Sequence, residues 1–477
     1  MIFNSIDFGV FFIVVFLLNA FVFNKNLKYR NIFLLVVSYF FYGWWDWRFL
    51  GLIFFSSILD FFLGKKIDEE QNPINRKWLL GLSLGINLGL LGFFKYAGFF
   101  VESFTTAFTF LGFPIESHTI NIILPVGISF YTFQTLSYTW DIYKRQLKPN
   151  HDVLRFLAFV SFFPQLVAGP IERASHLLPQ FDNIKKINYQ QLRSGFLLMA
   201  VGFFKKIVIA DRLARFVDPA FADYDQLAGY SAIIAILFFT LQLYFDFSAY
   251  SNIAIGCGKM LGFELSLNFN KPYLSTSFSD FWRRWHISLS SWFKDYVYIP
   301  LGGNKSGKFF TIRNFLIVFL LSGLWHGASW NFVLWGLFNG LFLIILDPFV
   351  NKFNKFTLGK LAAGIIVFSC WALSLVLFRT SNFEQAKIIY SHIFIISSKS
   401  IDSYGLSIKE LNFTFTILIF YFILEWIELN FSSLSDWLFK RNLLFRWAVY
   451  ILIILSIIIL GSYGSEMNDK QFIYFQF

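Results

Sequence analysis

Apolar runs long enough to span a bilayer, or nearly so, recur from one end of the chain to the other. They lie near 8–24, 31–43, 49–63, 79–100, 120–138, 153–169, 195–210, 230–256, 311–326, 329–346, 361–378, 411–428 and 446–463. Several are short or interrupted by Gly and Pro, so the pattern predicts about eleven true spans with one or two re-entrant or interfacial segments. Short basic clusters separate the runs: Lys65–Lys66, Lys144–Arg145, Lys185–Lys186, Lys205–Lys206, Lys352–Lys355 and Lys440–Arg441. They cannot all be cytoplasmic if every run spans, and Lys205–Lys206, which interrupts an apolar stretch, predicts a helix lying at the interface. Trp44, Trp45 and Trp47 with Tyr39 and Tyr42 form an aromatic belt at headgroup level. Met1–Asp7 carries no Lys or Arg, and Lys25, Lys28 and Arg30 follow the first run. This predicts a retained span with its N-terminus outside, not a cleaved secretory signal. With no fixed-period repeat and no low-complexity linker, the expectation is one integral-membrane domain over 1–477 and an all-α polytopic fold.

Composition narrows this further. The 477 residues are 56% hydrophobic and 14% charged, against about 25% charged in a soluble domain, and 68 are Phe. A disordered chain, a coiled coil and an ordinary soluble enzyme are excluded. The net charge of +11 does not imply nucleic acid, because the cations sit in loops between spans and no RNA-binding motif accompanies them. Cys257 and Cys370 are far apart in apolar runs, which predicts buried thiols and excludes a metal site built on thiolates.

Residues 275–305, STSFSDFWRRWHISLSSWFKDYVYIPLGGNK, carry the first chemical signal. On a helical wheel Phe278, Phe281, Trp282, Trp285, Leu289, Trp292, Phe293 and Tyr296 share a sector about 120° wide. Asp280, Arg283, Arg284, Ser290, Ser291 and Lys294 lie opposite. This predicts one amphipathic helix, ended by Pro300 and Gly302–Gly303, lying in the interface or lining a polar cavity. His286 falls at the border of the two faces. Either the aromatics only anchor the helix and His286 bonds a neighbour, or the site is the mouth of a cavity. In the second case Arg283 and Arg284 attract an anionic ligand such as a coenzyme A thioester.

His326 is the second signal. It is the only titratable group between Asn314 and Ile345, and 13 residues of helix from Asn314 place it about 20 Å into a core of about 30 Å. Gly323 and Gly327 flank it and Ser329 is placed to cap a following helix, so a break at His326 is expected. An ionisable residue at that depth is costly and points to function; the alternative is a histidine satisfied by a backbone carbonyl. As a neutral imidazole it can take a proton from a hydroxyl, which is general-base work. His118, His151, His176 and His392 sit in polar loop contexts. No HExxH or GxSxG motif is present. Asp246, Gln134 and Gln165 are polar marks inside apolar runs, facing the bundle interior for binding or for structural hydrogen bonding.

PVGISFYTFQTLSY (125–138), FFPQLVAGPIER (162–173), YFDFSAYSNIAIG (244–256), FWRRWHISLSSWFKDYVYIPLGGNK (281–305), LSGLWHGASWNFVLWG (321–336) and FIYFQF (472–477) resemble the membrane-bound O-acyltransferase family, in its bacterial alginate and exopolysaccharide O-acetylation branch. The likeness is dense over about 120–340. It implies a helical membrane bundle with funnels opening toward a site in mid-membrane, in which the family's invariant histidine falls on His326 and its second histidine on His286. Arg283, Arg284, Trp285, Trp325, Asp246 and Asp280 are then candidate donor- or substrate-binding residues. The resemblance implies no bound cofactor or metal, acetyl-CoA as donor from the cytoplasmic side, and a polysaccharide or a periplasmic O-acetyltransferase as partner on the outer side of a cell inner membrane. Two other readings stay open: D-alanyl transfer from a carrier protein to a cell-wall polymer, and a transporter or scaffold without catalysis.

Overall fold

The computed structural model describes residues 1–113, 122–354, 356–395, 401–431, 433–463 and 472–473. Among them the chain is helical throughout, without a β-strand. His118, Lys355 and positions 474–477 of the C-terminal motif lie outside the described residues.

Among the described residues, nine continuous helical runs are long and apolar enough to cross a membrane: Ile6–Phe23, Leu27–Glu69, Pro73–Phe110, Gly229–Met260, Lys308–His326, Trp330–Phe353, Thr357–Arg379, Ile408–Asn430 and Leu443–Leu460. The expected eleven spans divide the same apolar stretches differently. The run Leu27–Glu69 absorbs two apolar stretches as helices of 20 residues each, Leu27–Asp46 and Leu50–Glu69, parted by extended backbone at Asp46. The described part of 120–138 and the stretch 153–169 form shorter helices, and 195–210 lies in continuous helix from Tyr189 to Ala222 whose charged residues set it apart from the nine runs. Ile6, Leu444 and Ile459 are 87%, 83% and 72% exposed, a surface stable only against lipid.

The chain divides into two compact units, Met1–Gly195 with Cys257–Ser266, and Phe196–Gly256 with Leu267–Phe477. In the first, the apolar stretch after Asp152 is a helix of nine residues, Val153–Ser161, broken ahead of Pro164. The break diverts the Phe163 N–H to Ser38 Oγ, 3.1 Å away, so the Phe159 carbonyl loses its helical donor. Gln134 and Gln165 supply two instead, at 3.1 and 2.9 Å. Both glutamines therefore have a structural hydrogen-bonding role. Asp60 is likewise held by Ser83 (2.6 Å) and Asn87 (2.9 Å) on a neighbouring helix.

In the second unit, Gly229–Met260 is the most enclosed of the nine runs, and its Phe238, Phe239, Tyr244 and Phe245 belong to one core with Phe281, Trp285, Trp335 and Trp371. Lys205 and Lys206 do not lie at an interface as the sequence suggested. Both are buried, and Lys206 Nζ is 2.6 Å from Asp246 and 2.9 Å from Asp211. A buried cation is tolerated here because two carboxylates face it.

Lys308–His326 and Trp330–Leu341 form a helical hairpin. Their backbones meet at two glycines: a methyl group on Gly323 would lie 2.2 Å from the Phe332 carbonyl oxygen, and one on Gly336 2.3 Å from that of Phe319. Close approach through small residues is how membrane helices gain packing energy. Gly336→Val is expected to abolish recovery of folded, monodisperse protein in mild detergent, whereas Gly81→Ala, with nothing within 4 Å of the added methyl, is expected to leave recovery unchanged.

Candidate active site

The structure does not form one amphipathic helix over 275–300. Helix Phe278–Arg284 ends at Trp285, and a second helix, Ile287–Phe293, starts after His286, which takes a left-handed backbone (φ 43°, ψ 56°). Two surfaces result in place of one wheel. Phe278, Phe281, Trp285, Leu289, Trp292 and Phe293 are buried inside the protein and not laid on the interface. His286 is not at a face border: it is 1% exposed, at the break itself. A left-handed non-glycine residue is uncommon and is held only where its surroundings over-determine it.

What holds it is a polar knot around Asn268, which is wholly buried. Asn268 Oδ1 lies 2.9 Å from His286 Nδ1 and accepts from Ser288 Oγ at 3.0 Å, while Asn268 Nδ2 donates to Ser251 Oγ at 3.2 Å. The rest of the His286 ring is set among aromatic faces and edges: Phe247 at 4.8 Å, Trp325 at 5.9 Å and Phe269 at 6.2 Å between centroids. Burial in that box pulls the imidazole pKa down to about 3. His286 is neutral across the physiological range.

The expected break at the other histidine is present. Lys308–His326 ends on His326, Gly327 is extended (φ −163°, ψ 156°), and Ser329 occupies the N-cap position of the next helix with extended backbone but without a side-chain cap bond. The His326 ring meets Trp325 and Trp335 at 5.0 Å and Phe378 at 5.3 Å, each near edge-to-face. Asn331 Nδ2 bonds the carbonyl and hydroxyl of Thr380 at 3.0 and 3.1 Å, which ties the hairpin to the end of the helix that carries Phe378.

The two histidines, 40 residues apart in sequence, thus lie on the same tryptophan. Trp325 is 3% exposed, with the His286 ring 5.9 Å and the His326 ring 5.0 Å from its own. Trp285 packs in the adjoining cluster, 4.9 Å from Trp371 and 5.1 Å from Phe269. Asp280 faces both arginines, at 2.8 Å from Arg284 Nε and 3.5 Å from the exposed Arg283, leaving one net positive charge next to the break. Asp246 is spent elsewhere, on Lys206 and on the main-chain N–H of Ile473 at 2.6 Å.

Sequence reading missed Asn268, Ser288, Trp335 and Phe378. None stands out by period or charge, and each gains its place only through tertiary contact; His286 was the visible member of the knot. Among the weaker histidines, His151 and His176 are exposed and His392 is half-buried at the end of Phe383–His392. His176 Nδ1 is 2.7 Å from buried Glu172, which also accepts from the Ser266 N–H and, at 3.0 Å, its hydroxyl. The Glu172 bond raises the His176 pKa. The stabilisation is therefore complete below pH 6.5, where the imidazolium exists in folded and unfolded chains alike, and fades as pH rises through the raised value. Wild type is expected to lose under about 1 kcal/mol between pH 6 and 8 that His176→Gln does not lose, read by thermal unfolding.

With this geometry in view, similarity to known proteins can be stated. The model of the MBOAT, membrane-bound O-acyltransferase family matches residues 143–383. The chain is 35% identical to the protein named probable alginate O-acetylase AlgI of Pseudomonas putida, over 100% of both chains. It is 38% identical to the peptidoglycan O-acetyltransferase of Helicobacter pylori over 79% of this chain and 75% of the other. Identity to the teichoic acid D-alanyltransferase of Streptococcus thermophilus is 27%, over 56% of this chain and 68% of the other.

Proposed function

Because the chain belongs to the membrane-bound O-acyltransferase family, we propose that it takes an acetyl group from acetyl-CoA on the cytoplasmic side of a cell inner membrane and delivers it for O-acetylation of a polysaccharide outside. The O-acetyltransferase class follows from relatives named for O-acetylation of alginate and peptidoglycan. The observation that carries the chemical reading is the pair of buried imidazoles on one tryptophan, each at a helix break.

In this reading His326 is the general base. An acceptor hydroxyl attacks the thioester carbonyl, its proton passes to the imidazole, the new C–O bond forms and the C–S bond breaks. The proton returns to the departing thiolate. His286, neutral and fixed by Asn268, orients the donor or shares the proton transfer, and the charge left by Arg283, Arg284 and Asp280 attracts donor phosphates. The aromatic walls keep water from the thioester. The acyl group is then handed to the polysaccharide itself or to a periplasmic O-acetyltransferase.

Labelled acetyl-CoA supplied to membrane vesicles, with and without periplasmic extract, tests this. Label on polysaccharide is expected, and its dependence on the extract separates relay from direct transfer. The relative named for D-alanyl transfer gives the second reading; label from a D-alanyl carrier protein and none from acetyl-CoA would establish it in place of the first.

A further inference from the structure

The position before a helix ordinarily holds Ser, Thr, Asp or Asn, whose side chain accepts the first free N–H groups. At Ile287–Phe293 that position is His286, whose side chain makes no cap bond. The cap comes from another segment. The Ile287 N–H donates to the Asn268 carbonyl at 2.9 Å, and the Ser288 N–H approaches Asn268 Oδ1 at 3.4 Å. One asparagine thus takes over the duty of the N-cap residue, and the imidazole is released from it.

The same contacts set the protonation of the ring. A backbone N–H can only donate, so the Asn268 atom it meets is the oxygen, and the amide orientation is fixed. That oxygen also faces His286 Nδ1 at 2.9 Å. Two acceptors do not bond each other, so Nδ1 carries the hydrogen. In a neutral imidazole the lone pair is then on Nε2. We propose that Asn268 is a positioning residue for the acyl transfer: by capping the helix in place of His286 and accepting from its Nδ1–H, it holds His286 as the tautomer whose basic nitrogen is Nε2. This rests on the role given to His286 above.

The charged groups around the ring are few. His326 lies across Trp325, Asp246 is beside Phe247 but paired with Lys206, Arg284 is paired with Asp280, and Lys271 pairs with Glu428 at 3.1 Å. The acceptor that another segment brings to Nδ1 is the neutral amide oxygen of Asn268.

The test uses full-length protein in lipid with ¹⁵N-labelled histidine, the His286 signals being assigned by their loss in His286→Gln. Wild type is expected to show Nδ1–H and an unprotonated Nε2 from pH 5 to 8. Asn268→Ala is expected to show a mixture of tautomers, and at least a tenfold loss in kcat with KM for acetyl-CoA within twofold. Asn268→Asp, nearly isosteric, keeps the acceptor and adds a charge. It is expected to recover most of kcat and to move the acidic limb of the pH–rate profile upward by about one to two units. An Nε2–H tautomer in wild type, or an unchanged tautomer in Asn268→Ala, overturns the proposal, as does an Asn268→Asp profile that matches Asn268→Ala in rate and pH. The spectrum needs no turnover, so failure of the acetyl-transfer reading, seen as no labelled product from wild type, is a separate result from failure of this one.

Discussion

Replacing His326 with alanine is expected to lower labelled acetyl transfer by about 10²–10⁴-fold with little change in the amount of folded protein, because the general-base role proposed for it contributes on that order. The ring is bounded by Trp325, Trp335 and Phe378 at 5.0–5.3 Å, so its loss removes one small polar group from an aromatic pocket and leaves the hairpin glycines in place. If His286 and His326 act on one proton transfer, His286→Ala and the double replacement should cost about as much as His326→Ala alone, since residues that work as a unit are not additive. Rates from purified protein in lipid, normalised to folded protein, check this. A His326→Ala enzyme as fast as wild type would remove the general-base role; fully additive losses would separate the two histidines into independent steps.

Much of this site was legible before the structure, for an energetic reason. Titratable groups are costly in apolar surroundings, so His326 in a run without other charges marks itself. The break at that residue was legible too, because Gly323, Gly327 and Ser329 surround it. The break at His286 was not. A helical wheel assumes continuous helix, and FWRRWHISLSSWF fits one face well enough to hide a left-handed residue in its middle. Nothing local forces that conformation; Asn268, eighteen positions earlier, does. The bounds of the apolar segments were hidden in a related way. Hydropathy sees apolar runs but not that the segment at Phe162–Pro164 is buried by protein, with two glutamines attending to one carbonyl. Lys205 and Lys206 misled because the rule that cations seek the membrane surface holds only for cations without buried partners.

Asp246→Ala is expected to destabilise the second unit by about 1–3 kcal/mol, the cost of leaving a buried donor without its acceptor. Lys206 is 2% exposed and would retain Asp211, at 2.9 Å, as its carboxylate partner, while the Ile473 N–H would lose its carboxylate acceptor. The remaining bond to Asp211 puts the loss toward the lower end of that range. Removing all three charges together is a different perturbation. In Lys206→Met with Asp246→Leu and Asp211→Leu, apolar side chains of similar length replace the cluster, no unmatched charge is left at that contact, and part of the desolvation cost of the wild-type charges disappears. The triple variant should therefore unfold at a higher temperature than Asp246→Ala, although it carries two more substitutions. Thermal unfolding of the purified protein in one detergent compares the three chains directly. A triple variant no more stable than the single one would mean that the bond from Asp246 to Ile473, and not the charge cluster, holds this part of the fold; Asp246→Asn with Lys206→Met and Asp211→Leu, which removes the charges but keeps an acceptor for that N–H, would then be the stable form.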